Sequence, residues 1–312
     1  MSKPIIAVVG GTGAQGGGVV NALLERGRFA VRVLTRNPAS DRAKALAGRG
    51  IEVVTADLND ASTLPAAFEG AYGAFVVTNF FDAATASSGS GGRTEAEQGA
   101  AAVSAAREAG VQHFVWSTLP NVDRLSEGEL AVHHFTGKAV VDQVVTDAGF
   151  AFHTFVEPPM YFQNFLGNMK PKPLGNGATG WGVPMDPAAP ALHMGDVTEV
   201  GKVVARAFEE PELVGQGQHL GVAADLLSWN DIVATLEAQG HQVAVQQIPP
   251  EVYDGFYPGA RELRETMQWF EGYTYYGPEA DRKLANTRSI YAETITGFSE
   301  WAARNLPAQW SA

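Results

Sequence analysis

Hydrophobic positions come in short runs punctuated by glycine. Ile5-Ile6-Ala7-Val8-Val9 is one apolar run that stops at Gly10. A run of that length bounded by glycine predicts a strand buried on both faces. Val19, Val20, Leu23 and Leu24 then recur at helical spacing, and Gly27 closes the segment. Further apolar runs at 30–36, 51–57, 73–79 and 113–118 predict strands. Between them, 39–49, a short segment opened by Ser62 with Leu64 and Phe68, and 95–109 predict helices ended by Gly50, Gly70 and Gly110. Strand and helix alternating this closely predict an α/β fold, a doubly wound parallel sheet with helices on both faces. Right-handed crossovers bring all strand C-termini to one edge, where ligands bind.

The second half is less regular. Residues 131–148 predict a helix with Val140, Val141, Val144 and Val145 as its core stripe, closed by Gly149. Residues 151–159 predict a sixth strand ending in two prolines, and 160–190 show no period. Helices follow at 197–208 and 228–239, strands at 217–223 and 243–250, and a last amphipathic helix at 289–305. The chain is expected to divide near 155, into a parallel-sheet domain over 1–155, to which segments around 197–223 return, and a smaller part over 156–312. The aromatic residues of 253–276 read as the core of that smaller domain, in preference to a wall for a flat ligand. The loop 82–94, DAATASSGSGGRT, reads equally as a lid or a surface insertion.

Composition narrows the field. In 312 residues, 22 Lys and Arg stand against 34 Asp and Glu, a net charge of −12. That disfavours direct contact with nucleic acid or an anionic membrane. There is no cysteine, so neither disulfides nor thiolate chemistry operate. The seven histidines lack ligand spacing, and no metal site is expected. Without a leader pattern or a long apolar run, the chain is expected to be soluble and cytoplasmic.

The chemistry starts at the first turn. Gly10, Gly13 and Gly16 stand three apart between strand and helix, with Thr12, Ala14 and Gln15 among them. Glycine lets the backbone approach a ligand, and the uncapped helix start suits a pyrophosphate. The end of the second strand, where NAD-binding chains carry an acid, reads Thr35-Arg36-Asn37-Pro38. Arg36 in place of the acid points to NADP(H), its fork matching a 2′-phosphate; the alternative is a solvated charge. Asp57 and Leu58 can border the adenine, or Asp57 can cap the next turn. Thr78 and Asn79 end the fourth strand, towards the nicotinamide. Reductases of this architecture commonly pair a Tyr with a Lys four residues on, and a Ser or Thr on the preceding strand. Here Lys138, Ser117 and Thr118 are present, but His134 stands where the Tyr would be. His134 can carry a proton near neutral pH, or merely fill space, and His133 can compete with it.

VVGGTGAQGGGVVNALL at 8–24, VRVLTRNP at 31–38, VVTAD at 53–57, AYGAFVVTN at 71–79 and HHFTGK at 133–138 resemble the NmrA-like branch of the atypical short-chain dehydrogenase/reductases. PPMYFQNF at 158–165 and FYPGARELRETMQWF at 256–270 extend the likeness over nearly the whole chain, nearest to the NADPH-sensing members. The resemblance implies a Rossmann domain, its sheet doubly wound, with a smaller interleaved α/β C-terminal domain and NADP(H) in the cleft between them. It implies Gly10, Thr12, Gly13, Ala14, Gln15 and Gly16 as the pyrophosphate turn and Arg36 as the 2′-phosphate contact. It places Thr78, Lys138, Glu157, Pro158 and Tyr161 along the nicotinamide side. Two functions follow from it. The leading one, favoured by the missing Tyr and the 82–94 loop, is a sensor whose NADPH occupancy alters association with a protein partner. The other is a reductase of a flat quinone, carbonyl or similar aromatic, with His134 or water replacing the Tyr. A homodimer stays open.

Overall fold

The chain is seen here as a computed structural model, which describes residues 2–82, 93–175 and 177–308. The first six apolar runs form strands: β1 Ile5–Val9, β2 Ala30–Thr35, β3 Glu52–Thr55, β4 Gly73–Val76, β5 His113–Ser117 and β6 Phe152–Glu157. With Gln216–Gly221 they make a seven-stranded sheet in the order Gln216–Gly221, β6, β5, β4, β1, β2, β3. Every pairing in it is parallel. This is the Rossmann order, and it reverses at β1, which pairs with β2 on one side and β4 on the other. The returning strand expected at 217–223 is the one beside β6.

Helices cover both faces: α1 Ala14–Arg26, α2 Asp41–Gly48, α3 Leu64–Phe68, α4 Glu95–Glu108, α5 Val122–Leu125, α6 His133–Asp147 and α7 Val197–Glu209. One apolar layer joins α1 and α7 to the sheet through Val19, Leu23, Val200 and Val204. The other joins α4 and α6 through Ala102, Val103, Val141 and Val145. The α1–α7 contact is close because both helices present glycine. A Cβ on Gly201 would stand 2.2 Å from the Gly18 carbonyl, whereas a Cβ on Gly18 would meet nothing nearer than 3.5 Å.

The smaller C-terminal part carries two three-stranded sheets. Met160–Tyr161, Leu192–Gly195 and Asp225–Leu227 form one; Lys172–Pro173, Thr179–Val183 and Ala244–Gln247 form the other. Its own core is aromatic, with Phe162, Phe165, Trp181, Trp229, Trp269 and Trp301 buried together. Among the described residues no helix is long and apolar enough to cross a membrane.

Several expectations change. Val141 and Val145 are buried in α6, but Val140 and Val144 are 42% and 39% exposed. Val140 and Val144 lie about 100° round the helix from Val141 and Val145, at the edge of the inward stripe, which Lys138 shares with Val141 and Val145. The turn opened by Ser62 is capped by Asp60, whose carboxylate accepts the Ser62 N–H. The expected helix 289–305 is two helices, Ala280–Ile290 and Phe298–Asn305. Thr294, Ile295, Thr296 and Gly297, poor helix formers, lie in the break. The aperiodic 160–190 contains short strands too brief to show a period. Most of the loop 82–94 lies outside the described residues.

The helix contact makes a contrast. Gly201→Ala should lose about 2 kcal/mol or more in urea unfolding, because main chain of α1 must move. Gly18→Ala should change stability by no more than about 1 kcal/mol, in the stabilising direction that alanine favours in a helix.

Candidate cofactor and active site

The turn after β1 is built from backbone. Gly10 has φ +69°, a conformation open to glycine. Its carbonyl accepts the Gly13 N–H at 2.8 Å. A Cβ on Gly16 would lie 2.3 Å from that same oxygen. Gly13 opens α1 and offers no side chain to cap it. The first N–H groups of α1 therefore point out of the helix end with its positive dipole, as an anion such as a pyrophosphate requires. Gln15 turns away from the helix end: its Nε2 donates to Ser117 Oγ at 2.9 Å, and that hydroxyl donates back at 3.2 Å. The turn is thereby fastened to the end of β5.

At the adenosine end of such a site stands Arg36, just past β2. Its guanidinium grips Asp82 at two points, Nη1 to Oδ1 at 3.1 Å and Nη2 to Oδ2 at 2.6 Å. Arg42 reaches the Thr12 carbonyl at 3.1 Å. Asp57 and Leu58 border the cleft, and Asp57 Oδ1 also accepts the Asn59 N–H at 2.9 Å. Asp57 thus forms the turn that was its alternative role while still facing the cleft.

Lys138, on α6, is buried with three partners: Glu95 Oε1 at 2.6 Å, the Thr78 carbonyl at 2.8 Å and Thr78 Oγ1 at 3.0 Å. Burial pushes its pKa down, and Glu95 opposes that without cancelling it. One turn earlier is His134. Its Nδ1 and its backbone N–H both point at Glu262 Oε1, at 2.9 and 3.1 Å. Burial pushes the Glu262 carboxyl up, but the His134 hydrogen bonds outweigh it and leave the pKa low. Glu262 lies on the helix Ala260–Tyr273, so the C-terminal part supplies the group that orients this imidazole. Phe80, Phe81 and Phe135 surround the ring at centroid distances of 4.9 to 5.9 Å.

One cleft of about 1370 Å³ joins these groups. Gly10, Thr12, Gly13, Ala14, Gln15, Gly16, Arg36, Asp57, Leu58, Thr78, Asn79, Ser117, His134, Lys138, Pro158 and Tyr161 all line it. Burial raises the Tyr161 phenol, making it a weaker acid. Glu157 is the exception. It sits at the end of β6 with its carboxylate taken by Lys283 at 2.8 Å and His219 at 2.7 Å, away from the cleft lining. The aromatic stretch 253–276 divides. Trp269 and Tyr276 are fully buried core, while Tyr253, Phe256, Tyr257, Phe270 and Tyr275 line the cleft.

A sequence profile of the NmrA-like family matches residues 2–302. The chain belongs to the NmrA-like family. An NmrA-like family domain-containing oxidoreductase of Aspergillus hancockii is 32% identical over 301 residues, 89% of this chain and 87% of that one. Among solved structures, NmrA, a negative transcriptional regulator in complex with NADP, matches with a TM-score of 0.79. The identity is 22%, over 98% of this chain and 96% of that one. An NADPH-dependent quinone oxidoreductase from Escherichia coli, complexed with NADPH, matches with a TM-score of 0.72 and 20% identity, over 96% and 99% of the two chains. At these identities the solved structures share the fold.

Four polar residues of this NmrA-like site escape a reading of motifs. Glu95, Glu262, Asp82 and Arg42 lie outside the glycine turn and the strand ends, and nothing local marks them except at Glu95. Glu262 is 128 residues from His134 in sequence. The one available signal was at Glu95: Thr94 and Glu97 form a capping box that fixes the start of α4 and so the place of Glu95.

The buried Lys138–Glu95 pair yields a pH prediction. A lysine whose folded pKa lies below its unfolded value opposes folding at low pH, and the opposition fades as pH rises through the folded pKa. Glu95→Gln leaves the ammonium without its counter-charge and should cost about 3 kcal/mol near pH 7. That deficit against the unaltered chain should shrink between pH 7 and 10 in urea melts. A deficit constant with pH would remove the charge from the explanation.

Proposed function

We propose that this NmrA-like chain binds NADP(H) and reduces a flat, largely apolar substrate. The observation that carries the reading is His134, held by Glu262 in the cleft one helical turn before Lys138. The oxidoreductase name of the Aspergillus relative and the NADP or NADPH in the titles of the two solved structures support it.

The residues divide the work as follows. The glycine turn and the first N–H groups of α1 hold the pyrophosphate, with no side chain in the way. Arg36 takes the 2′-phosphate. Lys138 and Thr78 border the nicotinamide ribose. The cofactor, when bound, supplies a hydride. Glu262 accepts from Nδ1 of His134, which fixes the tautomer and supports the charged ring; the imidazolium then gives its Nε2 proton to the developing alkoxide or phenolate. Tyr253, Phe256, Tyr257 and Phe270 offer rings for a planar substrate to lie against and keep water from it. A second reading, the occupancy sensor, is favoured by Lys138: its three hydrogen bonds all go to the protein, an arrangement that cofactor would have to rearrange.

The test is NADPH oxidation followed at 340 nm with a panel of quinones and aromatic aldehydes. Turnover is expected, with His134→Ala lowering kcat about 100-fold, the scale of one general acid. Glu262→Gln should lower kcat less and leave NADPH affinity unchanged. Tight NADPH binding with no oxidation by any compound would favour the sensor. Absence of NADPH binding would overturn both.

A further inference from the structure

Arg36 is not waiting with an open fork. β2 and β4 flank β1, so Arg36 beyond β2 and Asp82 beyond β4 meet across the C-terminal end of β1. A short turn aims the carboxylate. Asn79 Oδ1 accepts the Phe81 N–H at 3.1 Å, and the Asn79 carbonyl accepts the Asp82 N–H at 3.2 Å. Asp82 then meets both terminal nitrogens of Arg36, at 3.1 and 2.6 Å. Two parallel charge-assisted bonds are also how a guanidinium grips a phosphate. Both residues line the cleft.

We infer that Asp82 is an internal rival of the 2′-phosphate for Arg36, and that it sets how far the site prefers NADPH to NADH. The inference rests on the NADP(H) reading above. A ribose bearing a 2′-phosphate must take the Arg36 fork from Asp82, and a phosphate dianion then lies beside a displaced carboxylate. A ribose bearing a 2′-hydroxyl leaves the pair intact. Asp82 therefore weakens NADPH selectively. Asp57 lies on the same side and adds its negative field at Arg36; Arg42, at the Thr12 carbonyl, is the second cation near the phosphate path. The side chains of Arg36 and Asp82 are 50% and 26% exposed, so water moderates the competition without removing it.

Calorimetric titration of the full chain with NADPH and with NADH tests this. Asp82→Asn keeps the shape and removes the charge. It should tighten NADPH about threefold to fivefold, the worth of one part-exposed ion pair, and leave NADH unchanged. Arg36→Ala should weaken NADPH far more than NADH, and adding Asp82→Asn to it should gain less than the same change gains in the unaltered chain. Thermal unfolding of each variant controls for the fold. An Asp82→Asn protein with the same NADPH-to-NADH ratio as the unaltered chain, or the same gain in the Arg36→Ala background, overturns the rival role. In that case an intact Arg36 effect keeps the NADP(H) reading standing. If the unaltered chain binds neither nucleotide, the cofactor reading falls and this inference falls with it.

Discussion

The approach of backbone to backbone at the first glycine turn constrains the rest. Gly10 oxygen lies where a side chain at Gly16 would begin, and it also takes the Gly13 N–H. That contact decides where α1 starts, and hence which N–H groups remain without helical partners. It also fixes how α1 lies on the sheet, with Gly18 against α7 at Gly201. Because α7 leads into the strand Gln216–Gly221 at the far edge of the sheet, the turn and the last sheet strand are parts of one packing arrangement. The glycines serve close packing as much as an anion.

The cleft is otherwise shaped by buried or half-buried carboxylates that meet cations or N–H donors from distant segments. Glu95 fixes Lys138, Glu262 fixes His134, and Glu265 accepts the Ala131 N–H just before α6. The last two come from one helix, Ala260–Tyr273, and both act at the start of α6. Glu157 does comparable work behind the cleft, tying the helix Ala280–Ile290 to β6 through Lys283. Such pairs add little net stability, since desolvation offsets attraction, but losing one partner strands a buried charge. Their value lies in fixing which groups face the cleft.

What was legible in the sequence follows from this. Local signals carry β1 to β6, the helices α1 to α4 and α6, and the glycine turn, because each is written in a few adjacent residues; the single turn α5 is too short to show a period. Lys138, His134 and Ser117 were reachable because helix spacing and strand ends put them on one edge. Glu157 is grouped with Pro158 and Tyr161 beside the cofactor by the resemblance alone. Its partners, Lys283 and His219, lie 126 and 62 residues away, and they draw its carboxylate off the cleft. The aromatic stretch 253–276 defeated a single reading for a related reason. Rings in one helix divide between core and cleft according to face: Trp269 turns inward, while Phe270 reaches the cleft lining. The faces are set by a packing partner that is not itself periodic.

The net charge of −12 frames the remaining question. An anionic ligand approaches an acidic protein against the overall field and depends on local cations. Arg36, Arg42, Lys138, Lys170 and Lys172 line the cleft. Two of these, at opposite ends of the expected cofactor, are already matched by carboxylates: Arg36 by Asp82 and Lys138 by Glu95. Asp82 lies just beyond β4, and Glu95 lies in the first turn of α4. A dinucleotide that draws on Arg36 and Lys138 therefore exchanges partners at both. Exchange of this kind ties occupancy to which ion pairs are formed, which serves a sensor and a reductase alike. The arrangement of cations thus does not separate the two activities; the proposed reductase differs from the sensor in needing a proton donor, the role proposed above for His134 held by Glu262.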